Sequence, residues 1–121
     1  MIQVQHSNKR ITIKGHARYA EEGKDIVCAA VSILAWTLIK SLRELTTDEI
    51  ESKVTKGYID VRFMTLSSQG ELLIKSFFTG LESLIEVYGE GYVKIIWNRI
   101  ASVKRRALED AAINRIFGID Y

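Results

Sequence analysis

At 121 residues the chain is long enough for one domain with its own hydrophobic core, and hydrophobic and charged fractions of 47% and 26% exclude disorder. A formal charge of +2 with a pI near 8.7 is too mild to imply nucleic acid, which needs clustered basic residues. A lone cysteine excludes an internal disulfide and makes a reducing cytoplasm the expected compartment.

In chain order, Ile2-Gln3-Val4-Gln5 and Ile11-Thr12-Ile13-Lys14 alternate apolar and polar, the period of half-buried strands. Ser7-Asn8-Lys9 between them predicts a hairpin turn, where His6 reads as a solvated residue. No basic-apolar-small leader opens the chain, so no secretory signal is expected. A loop of small and charged residues, Gly15 to Lys24, leads to Asp25, a good N-cap for a helix running to about Glu44. The charge-free stretch Ile26 to Ile39 is too short for a membrane span of roughly 20 residues. Being apolar all round, this helix is expected to be covered on more than one side, by a C-terminal helix or a second subunit.

Ile50 to Val54 and Tyr58 to Phe63 alternate again, joined through Lys56-Gly57 as a second hairpin. Ser68 and Glu71 have capping-box spacing. Leu73, Ile74, Phe77, Phe78, Leu81, Leu84, Ile85 and Tyr88 follow as one helical stripe, with Gly89 as the stop. Tyr92 to Trp97 reads as a strand, and Asn98 caps a last helix, about Arg99 to Phe117. The order ββαββαβ plus a terminal helix predicts an α+β two-layer sandwich with an antiparallel or mixed sheet. Residues 1–97 form the expected domain. Residues 98–121 form a helical extension packed on it or on a dimer partner, with Lys104-Arg105-Arg106 as a solvated face.

The chemistry concentrates in Gly15-His16-Ala17 and Asp25-Ile26-Val27-Cys28, with one of two histidines twelve residues before the only cysteine. With Asp25 as N-cap, Cys28 is the third helical position, where the helix dipole favours a thiolate. The Asp25 charge opposes this, so His16 must contribute. His16 stands where a strand ends and Cys28 where the next helix begins, within one loop's reach. Ser32 lies one turn after Cys28 on the same face, and Asp25 and Ser32 are both candidates for orienting His16. In this reading His16 takes the Cys28 proton and the thiolate attacks a carbonyl. Backbone N–H groups at the helix start hold the oxyanion, and the Tyr19 region with the sheet edge forms an apolar pocket. One cysteine and two histidines lack zinc-site spacing, so neither metal nor cofactor is expected.

The string GHARYAEEGKDIVCAAVSIL resembles the signature of the ribosomal-processing cysteine protease family, called Prp, and the segments GYIDVRF and LLIKSFFTGLESLIEVYGEGYVKI are similar to that family's second half. The resemblance covers about residues 2–97. It implies that His16 and Cys28 are the catalytic pair, with Gly15, Asp25 and Ser32 in supporting positions. It further implies a homodimer with a mobile histidine loop. The implied substrate is the short N-terminal extension of a large-subunit ribosomal protein (L twenty-seven), cut at aromatic residues followed by a small one, or a phage capsid or scaffold protein. Residues 98–121 depart from the family pattern and leave the substrate open. The competing reading is a ribosome- or RNA-associated non-catalytic dimer, against which the chain has no Gly-x-x-Gly clamp.

Overall fold

The computed structural model describes residues 1–97, and the expected helix of residues 98–121 lies outside them. The elements are β1 (Ile2–Ser7), β2 (Arg10–Lys14), α1 (Ile26–Leu45), β3 (Ile50–Thr55), β4 (Tyr58–Phe63), α2 (Ser68–Tyr88) and β5 (Val93–Trp97). They reproduce the ββαββαβ order and form an α+β fold.

The strands make one five-stranded mixed sheet in the order β3-β4-β2-β1-β5. Every neighbouring pair is antiparallel except β1 and β5, which run parallel with Ile2 opposite Val93. It follows that β2 and β3 run parallel to each other, as do β4 and β5. Each such pair is joined by a helix, and the crossovers step in opposite directions from oppositely directed strands. Two right-handed crossovers of that kind put both helices on the same face of the sheet. The core sits between these layers. Val4, Ile11 and Val61 from the sheet, Val27, Ile39 and Leu42 from α1 and Leu81 from α2 are its most deeply buried large side chains.

Alternation decides which strand residues face that core: Ile2 and Val4, Ile11 and Ile13, Ile59, Val61 and Phe63 are all buried. Asp60 alone is buried from the opposite face, where Arg10 and Arg62 donate to its two carboxylate oxygens at 2.8–3.1 Å. Helix α1 commits Val27, Val31, Ala35, Leu38, Ile39 and Leu42 to the core. Its other side leaves Ile26, Ile33 and Trp36 at least half exposed, so the cover expected there is not supplied among the described residues. By length and composition this 20-residue helix could span a membrane, but its inner face belongs to the core.

Two local expectations are corrected. The cap of α2 is Ser67, not Ser68: the Gly70 N–H donates to Ser67 Oγ at 3.0 Å, and Ser67 is itself held by Asp48 through its N–H and hydroxyl at 2.9 and 2.8 Å. His6 is not a solvated turn residue. It belongs to β1 and packs against Phe78 and Trp97, with ring centroids 5.0 Å away in each case. Gly89 ends α2 as expected, at φ 96° with its N–H donating to the Ile85 carbonyl.

Candidate active site

The topology collects four segments at one end of the sheet. The parallel strands β2 and β3 both finish there, α1 begins there, and the turn into β4 completes the rim. Crevices outside the carboxyl ends of parallel strands are habitual ligand sites. Here the crevice is a cleft of about 880 Å³ lined by His16, Asp25, Cys28 and Ser32, with Trp36 from α1 and Val54, Lys56 and Gly57 from the second hairpin.

Asp25 organises the end of α1. Its Oδ1 accepts the N–H groups of Val27 and Cys28 at 3.0 Å, and its backbone carbonyl accepts that of Ala29 at 3.1 Å. Its Oδ2 reaches the other way and accepts from Tyr19 at 3.0 Å and Ala20 at 3.5 Å. One carboxylate thus caps the helix and pins the middle of the histidine loop to it. Partial burial pulls the Asp25 pKa upward, but the donated N–H groups of Cys28, Tyr19 and Ala20 outweigh it and hold the group below the usual carboxylate value.

Cys28 is half-buried, and its Sγ accepts the Ala17 N–H at 3.2 Å. The sulfur thus sits between the start of α1 and a backbone amide of the histidine loop. Ala17 is the residue that sequence reasoning missed. Its role is carried by a backbone amide that no side-chain pattern announces, although its position directly after His16 was the available signal. Its methyl group is buried in the core and fixes that amide in place.

His16 is exposed at the cleft, and among the described residues no hydrogen bond joins it to Cys28. Its ring lies on the second hairpin, with Nε2 3.1 Å from where a Cβ at Gly57 would stand. Apo thiol–imidazole pairs are often loose and tighten only with substrate. Gly15 makes the approach of this loop feasible. Its φ is 102°, its N–H donates to the Gly57 carbonyl at 2.9 Å, and a Cβ there would lie 2.6 Å from the Met1 carbonyl oxygen.

Three details depart from the sequence-based picture. Asp25 makes no hydrogen bond to His16: it orients the loop backbone and not the ring. The amides of Val27, Cys28 and Ala29, expected to hold an oxyanion, are already taken by Asp25. Tyr19 lines no part of the cleft. It stacks edge-on with Tyr88 and Tyr92 at centroid distances of 5.5 and 5.1 Å, anchoring the loop to α2 and the entry of β5. The apolar walls come instead from Ile13, Val31, Trp36 and Val54. Among the described residues no cluster of His, Cys, Asp and Glu could hold a metal ion.

A thiol at a helix start, an amide donor on its sulfur and an imidazole on the facing loop are the parts of a cysteine hydrolase. The family model described as "Cysteine protease Prp" matches residues 1–94. The chain belongs to the cysteine protease Prp family. The ribosomal processing cysteine protease Prp of Mycoplasma genitalium is 56% identical over 32 residues, 26% of this chain and 32% of that protein. That of Staphylococcus aureus is 26% identical over 83 residues, 66% of this chain and 78% of its own length. Among solved structures, the S. aureus protease Prp with a covalently linked product peptide superposes with a TM-score of 0.71 at 19% identity, covering 80% of this chain and 97% of that one. The same enzyme with a substrate peptide gives 0.67 at 18% identity, over the same shares.

Proposed function

We propose that this protein is the endopeptidase that trims the N-terminal extension of a large-subunit ribosomal protein (L twenty-seven), with Cys28 as nucleophile and His16 as its general base and acid. The observation that carries this reading is the Ala17 N–H donating to Cys28 Sγ at the mouth of a cleft that His16 also lines. His16 takes the thiol proton and the thiolate attacks the scissile carbonyl. The Ala17 amide, already aimed at the sulfur, is the donor best placed for the oxyanion, since the helix-start amides are engaged. His16 then protonates the leaving amine, and water releases the acyl-enzyme. The walls formed by Ile13, Trp36 and Val54 suit an aromatic residue next to the cut. The half-exposed Ile33 and Trp36 on α1 support a homodimer, and the free thiol suits the cytoplasm.

The test is incubation with a peptide bearing the ribosomal extension, with products read by mass. Cleavage at one bond, absent in Cys28→Ala and His16→Ala, supports the reading. An intact peptide alongside a rapidly alkylated Cys28 removes the ribosomal substrate and directs the search to phage capsid or scaffold proteins. An intact peptide and an inert thiol overturn the enzymatic reading.

A further inference from the structure

The second hairpin, about forty residues after His16 in sequence, is built into the histidine loop at its tip. The Gly15 N–H donates to the Gly57 carbonyl at 2.9 Å, tying the residue before His16 to the turn. The imidazole rests on the bare Cα face of Gly57, whose missing Cβ would stand 3.1 Å from Nε2 and 3.4 Å from Cε1. Gly57 holds φ at 74°, a backbone that L side chains rarely adopt. Farther along the loop, Glu22 forms an ion pair with Lys56, the neighbour of Gly57. The turn therefore meets the loop by backbone, by ring and by charge. Gly57 needs its conformation for the hairpin alone, but the ring on its open face is a second demand that hairpin geometry does not make.

We infer that Gly57 is a positioning residue for His16: the β3–β4 turn is a seat that keeps the imidazole in the cleft beside Cys28, and the Glu22–Lys56 pair fastens the loop to that seat. Because His16 is solvent-exposed and, among the described residues, hydrogen-bonded to no other side chain, the seat is what limits its swing into water. The inference rests on the reading of His16 and Cys28 as a working pair.

The test follows the pH dependence of Cys28 alkylation by iodoacetamide, which needs no peptide substrate, beside peptide cleavage. His16→Ala should lose the alkylation seen at and below neutral pH. Gly57→Ala should move the profile towards that of His16→Ala and lower cleavage roughly 10- to 100-fold, the scale of a catalytic group displaced by about 1 Å. Gly57→Asn separates the seat from backbone strain, because asparagine tolerates positive φ but still projects a side chain against the ring. Gly89→Ala, at φ 96° with nothing within 4 Å of the added carbon, is strained without touching the site and should keep the native profile. Glu22→Ala and Lys56→Ala should each slow alkylation roughly twofold, as expected for an exposed pair, and the charge-exchanged double variant should recover it. Folded Gly57 variants with the native profile would overturn the seat, as would Gly57 variants that cleave poorly but alkylate normally. Unchanged rates in both ion-pair variants overturn the fastening. If the wild type and His16→Ala alkylate alike, the working pair itself falls, and the seat with it.

Discussion

The two helices begin with the same device put to different ends. Asp25 caps α1 and Ser67 caps α2, and at each start an aspartate ties the helix to a distant segment: Asp25 directly to Tyr19 and Ala20, Asp48 indirectly through Ser67. The third helical residue shows the difference. On α1 it is Cys28, whose side chain is free to face the cleft. On α2 it is Gly70, where a Cβ would collide with the Asp48 carboxylate. One cap leaves room for a nucleophile, and the other fills that room with its own support. A helix start becomes a reactive site only where capping and nucleophile do not compete for the same space.

This contrast can be broken from either side. The largest effect is expected at Cys28: Cys28→Ala should abolish peptide cleavage, whereas Gly70→Cys, placing a thiol at the matching position of α2, should disrupt the Asp48 bonds and create no activity. Gly70→Ala should cost about 1–3 kcal/mol by overpacking, read as a lower denaturation midpoint with the activity of the folded fraction unchanged. Asp25→Ala should cost about 1 kcal/mol as a lost cap, and cleavage should fall more than tenfold because the loop loses its anchor. Faster amide exchange at Tyr19 and Ala20 would locate that loss. Ser67→Ala should cost a similar amount in stability and leave cleavage intact; a loss of activity there would mean that the two caps are coupled.

The smallest effect is in acid. Asp25 and Asp48 both carry pKa values held below the ordinary carboxylate range. Burial alone would raise them, and their N–H and hydroxyl donors more than compensate. A depressed folded pKa gives stability that is present above the unfolded value, near 4, and lost as pH falls through the folded one. The denaturation midpoint should therefore drop with acid below about pH 4, and the slope should be shallower in Asp25→Asn and in Asp48→Asn.

The elements that repeat a local signal were legible from sequence. Alternation marked Ile2 to Gln5 and Tyr58 to Phe63, and Asp25 and Gly89 announced the start of α1 and the end of α2. Cys28 and His16 stood out by scarcity, and the structure sets both on one cleft. What stayed hidden depends on partners distant in the chain. His6 looked solvated because Phe78 and Trp97, which enclose it, arrive more than seventy residues later. Capping-box spacing pointed to Ser68 for the α2 cap, and Asp48, nineteen residues before Ser67, decided for Ser67. Tyr19 was assigned to a substrate pocket because its partners Tyr88 and Tyr92 could not be foreseen. The Ala17 amide leaves no trace in composition at all.

The parallel pairing of β1 with β5 sets the order in which the parts of the site come together. Ile2 meets Val93, so β1 waits for a strand about ninety residues further along the chain before its outer edge is filled. The aromatic anchor of the histidine loop, Tyr88 and Tyr92, belongs to that same late segment. Contacts of such sequence separation form late in folding. Until Tyr88 and Tyr92 have been made, a nascent chain thus carries Cys28 without the clamp that steadies the facing loop.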